Sequence, residues 1–209
     1  MKNKYTLPVV SLLAFMPAVS YFFLDHAIAF YVKNTILSDN KTALLSANIP
    51  DVLFPLVCII TVLAWAVYFF DRRKGVLEKR TYFALLVGTM LPLTFLLKDA
   101  LKFAFGRINT RYWLLNPGLP EFQWFSGADN YNGFPSGHMS VLGVLLIALG
   151  KQYPKLRNAS NGLLAALALS LIATDYHFLS DIIAGLYLAL IIYFFAVRIL
   201  PGVRSSRCD

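Results

Sequence analysis

Charge is what this chain has least of. Asp, Glu, Lys and Arg make up 14% of its 209 residues, and hydrophobic residues 58%. Soluble domains carry about 25% charged residues, so an ordinary soluble domain is excluded and a compact helical membrane protein is indicated. Cysteine is equally scarce. Of the two, Cys58 lies inside an apolar run and Cys208 in the C-terminal tail, which argues against a disulfide framework. There is no paired-cysteine motif and no acid-rich ligand cluster, so the patterns that announce a zinc or calcium site are missing. Low-complexity stretches and internal repeats are absent too. The net charge of +8 does not imply nucleic acid. The basic residues fall mostly in short loops and tails between apolar runs, as membrane orientation requires.

What the chain does have is six apolar segments, at about 7–32, 52–70, 82–97, 138–149, 162–174 and 182–200. A spanning helix needs about 20 mostly apolar residues. The second and sixth meet that length outright, and the third meets it if its helix continues through Lys98 to Phe105. The fourth and fifth are short, about 20 Å of helix each, and they abut His138 and His177. Short helices ending at polar residues predict a site sunk to headgroup depth, with its polar backbone shielded by protein. The first segment admits two readings. Met1-Lys2-Asn3-Lys4 before an apolar run resembles a secretory signal, with His26-Ala27-Ile28-Ala29 as its cleavage site. The run is long for a signal, which favours a retained helix with Asp25 and His26 near its outer end. The expectation is an all-α, six-transmembrane-helix bundle forming a single domain over 1–209.

With the N-terminus inside, thirteen of the 19 basic residues fall on the cytoplasmic side. The other six are Lys33, Lys41, Lys98, Lys102, Arg107 and Arg111, four of them in one cluster. The positive-inside rule favours this arrangement. It predicts a multi-pass membrane protein with its polar motifs facing the periplasm or cell exterior. The loop from Arg107 to Pro135 is then external, and a loop that long in a small bundle is either functional or disordered.

Three fragments carry chemistry. In Pro135-Ser136-Gly137-His138, proline ends a loop and Ser136 is a good N-cap for the following helix. Gly137 allows close backbone approach, and amides at a helix N-terminus bind anions. Ser136 and Gly137 are thus placed to hold phosphate oxygens while His138 reaches a leaving group; the plain alternative is a capped helix start. In His177-Phe178-Leu179-Ser180-Asp181, the histidine and the aspartate share a helix face. A carboxylate on one ring nitrogen fixes the tautomer and frees the other to attack; the plain alternative is a capping pair at the membrane surface. The third fragment is cationic: Lys102, Arg107 and Arg111. Arginine's planar fork suits phosphate oxygens, and such donors stabilise a transferring phosphoryl group. Asp99 offers Lys102 a local salt bridge, and Lys98 reads as a snorkelling side chain.

The order and spacing of these fragments resemble the signature of the type 2 phosphatidic acid phosphatase superfamily, whose lipid-phosphatase members are six-helix membrane enzymes. That signature is a lysine, six residues and Arg-Pro; then Pro-Ser-Gly-His; then Ser-Arg, five residues, His, three residues and Asp. The second part is complete at Pro135 to His138, and the third matches at Ser170, His177 and Asp181. The motif core spans 98–185. Two departures stand out. Counting from Lys102, Arg-Pro falls on Asn109-Thr110, and the third part's arginine is Leu171. Arg107 fits the extra arginine of Gly-Arg-x-Arg-Pro variants, and Arg111 is a candidate to replace the displaced one.

The resemblance implies that His177 is a nucleophile forming a phosphohistidine, oriented by Asp181. His138 protonates the leaving oxygen and then activates water. Lys102, Arg107, Arg111, Ser136 and Gly137 bind the phosphate, and neither a metal nor another cofactor is required. The implied partner is a phosphorylated membrane lipid of the undecaprenyl diphosphate, phosphatidylglycerophosphate, phosphatidic acid or lipid A type. A lipid phosphotransferase with the same intermediate is an alternative. A non-catalytic lipid-phosphate binder is another; Leu171 and Asn109 lend it weight, and both histidines with Asp181 weigh against it. The apolar segments disfavour soluble haloperoxidase chemistry. Asp175 either tunes His177 or caps the helix. Trp113, Phe122, Trp124, Phe125, Tyr131 and Phe134 form an interfacial belt or a lid.

Overall fold

The apolar runs become helices packed side by side, as lipid requires of backbone that has no water to bond. The computed structural model describes residues 6–36, 52–75 and 78–200. In chain order the helices are α1 (Thr6–Phe23), α2 (Asp25–Thr35), α3 (Leu53–Arg73), α4 (Lys79–Phe105), α5 (Thr110–Leu115), α6 (Gly137–Gln152), α7 (Arg157–Ala173) and α8 (Leu179–Ile199). No β-strand occurs among the described residues; one isolated bridge pairs Arg107 with Phe122.

Among these residues four helices are long and apolar enough to cross a membrane, or five if the bent α1–α2 pair is one span. The third segment does continue to Phe105, giving a 27-residue helix that ends at Gly106, whose φ is +50°. A Cβ at Gly106 would lie 1.7 Å from the Gln123 carbonyl oxygen, so only glycine fits this corner. The fifth segment begins earlier than its apolar run, at Arg157. The fourth, α6, has 16 residues, about 24 Å of helix against about 30 Å of hydrocarbon.

The first segment is broken rather than continuous. The axis turns by 55° between Phe15–Phe23 and Asp25–Thr35. The helical hydrogen bonds persist across the break, from Leu24 to Ser20 and from Ile28 to Leu24 (2.8 and 2.9 Å). What anchors the bend is Asp25, whose buried carboxylate is bonded to Arg107 and Ser180.

The core lies where α4, α6 and α8 cross. Leu86, Val144, Ala148 and Ala189 are fully buried there, with Met90, Leu91 and Val141 around them. Small residues set the close approach of α6 and α8. A Cβ on Gly185 would lie 2.7 Å from the Ser136 carbonyl oxygen, so α8 rests directly on the first turn of α6. The loop between α4 and α6 is tied down by its backbone. Ile108 bonds to Glu121, Asn109 to Asn130 and Gly133 to Arg107, all at 2.8–2.9 Å. It thereby walls one end of the bundle.

Candidate active site

The α6 N-terminus is capped by Ser136, whose Oγ accepts from the Met139 amide at 3.4 Å. Ser136 is fully buried beneath the site, and Gly137 forms part of the cavity wall. Two lysines from successive turns of α4 pass over Gly137: a Cβ there would meet Lys98 Cδ at 3.1 Å and Lys102 Cε at 3.8 Å. A glycine at this position therefore lets both cationic stems lie against the helix N-terminus.

His138 and His177 come together. Each ring meets Tyr176 edge-on, with centroids 5.6 and 5.1 Å away. Both histidines line one cavity of about 720 Å³, along with Lys98, Lys102, Arg111 and Asn109. The same cavity has an apolar flank, formed by Leu53, Phe54, Phe95, Phe103 and Leu115. Phe54, Phe103 and Leu115 are exposed on the bundle surface, so the cavity wall combines three cations with surface apolar side chains; Asp99 and Asp129 also line it.

Asp181 stands behind His177. Its Oδ2 lies 3.7 Å from His177 Nδ1, an ion-pair rather than a hydrogen-bond distance, and accepts from the Phe178 amide at 3.1 Å. Burial pulls the His177 pKa below its ordinary value; the Lys102 charge adds to this, while Asp181 and a Gly133 backbone contact oppose it. The ring is thus held toward the neutral form that a nucleophile needs.

Arg107 is found elsewhere than the cavity wall. It is 1% exposed and donates from Nη1 to Asp181 Oδ1 and Ser180 Oγ, both at 2.5 Å, and from Nη2 to Asp25 Oδ2 at 2.8 Å. Phe178 covers its guanidinium at 4.4 Å. Burial works against this charge, but Asp181 and Asp25 outweigh it and raise the pKa. The expected phosphate ligand is engaged instead by two carboxylates, Asp25 and Asp181.

Arg111, by contrast, is at the wall. Its Nε and Nη2 donate to the Thr174 carbonyl at 3.0 and 2.7 Å, and its guanidinium lies 5.3 Å from the Tyr176 ring centre. Burial lowers its pKa, opposed by Tyr176 and Asp175. Leu171, where the signature has arginine, is buried in an apolar cluster with Met139 and Ile182. Asn109 faces the cavity and bonds through Nδ2 to the Asp129 carbonyl at 3.2 Å. Asp175 is buried with φ +49°. Burial pushes its carboxyl up to about 7, against the pull of Arg111 and Lys33.

Sequence reasoning missed two residues. Lys98 lines the cavity, paired with Asp99 and lying over the Phe95 ring. Asp25 joins the network behind the histidines. An ionisable residue inside an apolar segment was the available signal for it.

Fold and site together define a multi-pass helical membrane protein with two histidines on a cavity that also holds Lys98, Lys102 and Arg111. The PAP2 superfamily model matches residues 82–204, and the chain belongs to that superfamily. Among curated relatives it is 30% identical over 139 residues to a lipid A 1-phosphatase of Rhizobium johnstonii, covering 59% of this chain and 57% of the relative. It is 33% identical over 91 residues to a lipid A 1-phosphatase of Rhizobium etli, covering 44% and 39%. The chain thus spans little more than half the length of one and less of the other. A solved transmembrane PAP2-type phosphatidylglycerolphosphate phosphatase from Bacillus subtilis aligns over 88% of this chain and 95% of its own, with 22% identity and a TM-score of 0.41.

Proposed function

We propose that this protein is an integral membrane lipid-phosphate phosphatase working through a phosphohistidine at His177. The observation that carries the reading is the convergence of His138 and His177 around Tyr176 on one cavity with three cations and an apolar flank. His177 Nδ1 is sealed beside Asp181, which leaves Nε2 to attack phosphorus. The bond from phosphorus to the lipid oxygen breaks as the bond to nitrogen forms, and His138 gives that oxygen its proton. Water, deprotonated by His138, then cleaves the phosphorus–nitrogen bond, and inorganic phosphate leaves. Lys102, Lys98, Arg111 and the Gly137 amide bind the phosphoryl oxygens, where fixed charges act without reorganising. Arg107 acts one step removed, by holding Asp181.

The substrate is a phosphomonoester or diphosphate of a membrane lipid, and the family names of the relatives favour a lipid A type phosphate among the candidates. The apolar flank accepts the chains of such a lipid. Lys and Arg placement supports a site on the outer face of the cytoplasmic membrane, and the whole chain acts as one domain.

The test is phosphate release by the purified chain in bilayers from a panel of phosphorylated lipids, with His177→Ala as blank. We expect release from at least one lipid, an acid-labile phosphoprotein that His177→Ala lacks, and no inhibition by EDTA. A wild-type chain that binds such lipids and releases nothing is a binder, and the proposal fails.

A further inference from the structure

Asp25 is 1% exposed, yet its carboxylate is fully occupied. Oδ1 accepts from Ser20 Oγ and from the Ser180 amide, each at 2.9 Å. Oδ2 accepts from Arg107 Nη2 at 2.8 Å and from the Ser180 hydroxyl. Every one of these partners except Ser20 also touches Asp181 or precedes it in the chain. Arg107 holds Asp25 with one guanidinium nitrogen and Asp181 with the other. The two carboxylates therefore share a single buried positive charge, and the second of them faces His177.

We propose that Asp25 is a positioning residue of the reaction, setting through Arg107 and Ser180 both the place of Asp181 and the share of positive charge that Asp181 receives. This rests on the phosphatase reading of the site. A clamp that only pinned α2 to the bundle would need one partner anywhere on α8. Asp25 instead grips the residue immediately before Asp181 by its amide and its hydroxyl, and so fixes the first turn of α8 from which the carboxylate projects.

Removing the Asp25 charge leaves Arg107 opposed chiefly by Asp181, so the potential at His177 becomes more positive and its imidazolium less stable. The other groups facing this pair are Glu121, 3.8 Å from Arg107 and itself bonded to His26, and Tyr21 under the guanidinium. On the cavity side Lys102 faces His177, and Tyr176 meets the ring edge-on between it and His138. All are common to wild type and variant.

The experiment uses the full chain in bilayers with the lipid that wild type hydrolyses best. In Asp25→Asn we expect kcat to fall roughly tenfold with KM within about twofold, because orientation of the nucleophile is lost and substrate contacts are not. The acid limb of the kcat/KM profile moves to lower pH. Asp25→Glu keeps the charge and returns that limb to the wild-type position. A folded Asp25→Asn chain with wild-type kcat and pH profile overturns the inference, as does one that loses only thermal stability. If Asp25→Asn does not fold, Ser180→Ala carries the test: it removes the hydroxyl between Asp25 and Arg107, about a threefold loss in kcat is expected, and unchanged kinetics is decisive against it. A wild-type chain that hydrolyses no lipid refutes the phosphatase reading instead, so the two failures are distinct.

Discussion

Arg111 grips the Thr174 carbonyl from two nitrogens, at 3.0 and 2.7 Å, across 63 residues of sequence. This fastens a cavity-facing guanidinium to the turn that leads into His177. Leu171, where the signature has arginine, lies in an apolar cluster instead, and whether Arg111 serves in its place is a matter for kinetics.

Arg111→Ala should raise KM for the lipid phosphate about tenfold or more, the loss of one charge-assisted contact, and reduce kcat as the 174–176 turn loosens. Arg111→Lys keeps charge but not the two-nitrogen grip and should recover only part of the activity. Steady-state kinetics on both variants decides. Normal KM in Arg111→Ala removes Arg111 from the phosphate site.

Gly185→Ala tests the seat of α6 on α8. The added Cβ meets the Ser136 carbonyl oxygen at 2.7 Å and Met139 Cβ at 3.1 Å, so the helix carrying His138 must shift. Overpacking of this kind costs about 1–3 kcal/mol, and the displacement should lower kcat more than it lowers stability. A thermal melt paired with turnover measures both. A variant that is destabilised and catalytically normal shows that the seat does not set the site.

Asp175 should make stability fall with rising pH. Its carboxyl is raised from 3.8 to about 7 by burial, so the folded protein holds this proton more tightly than the unfolded chain does. The contribution is complete below about pH 4 and is lost as pH climbs through about 7. Asp175→Asn, which tolerates the same positive φ, should match wild type near pH 4 and be the more stable of the two at pH 8. Melts at the two pH values read it directly, and an asparagine variant less stable at pH 8 contradicts the assignment.

Topology is checked with one cysteine at Ala128, an exposed residue of the α4–α6 loop, in a chain whose Cys58 and Cys208 are serine. A membrane-impermeant maleimide should label it in intact cells. Labelling only after the membrane is opened would turn the site toward the cytoplasm.

The apolar segments and the two histidine motifs were legible because hydropathy and local spacing are properties of neighbouring residues. The continuation of α4 to Phe105 followed from length alone. The break at Leu24 was not legible: no glycine or proline stands at that position, the helical hydrogen bonds run through it, and its anchors lie at 107 and 180. Arg107 looked like a phosphate ligand because a sequence records a guanidinium and not the carboxylates that claim it. Lys98 looked like a side chain reaching for water because nothing nearby in sequence places Gly137 under its stem.

Arg107 lies 82 residues after Asp25 and 74 before Asp181, and this fixes an order of events during synthesis. The arginine is made after its first carboxylate and before its second. One guanidinium thus ties together three stretches of chain that are far apart in sequence, and the last of them, the first turn of α8, completes the pair of carboxylates around it.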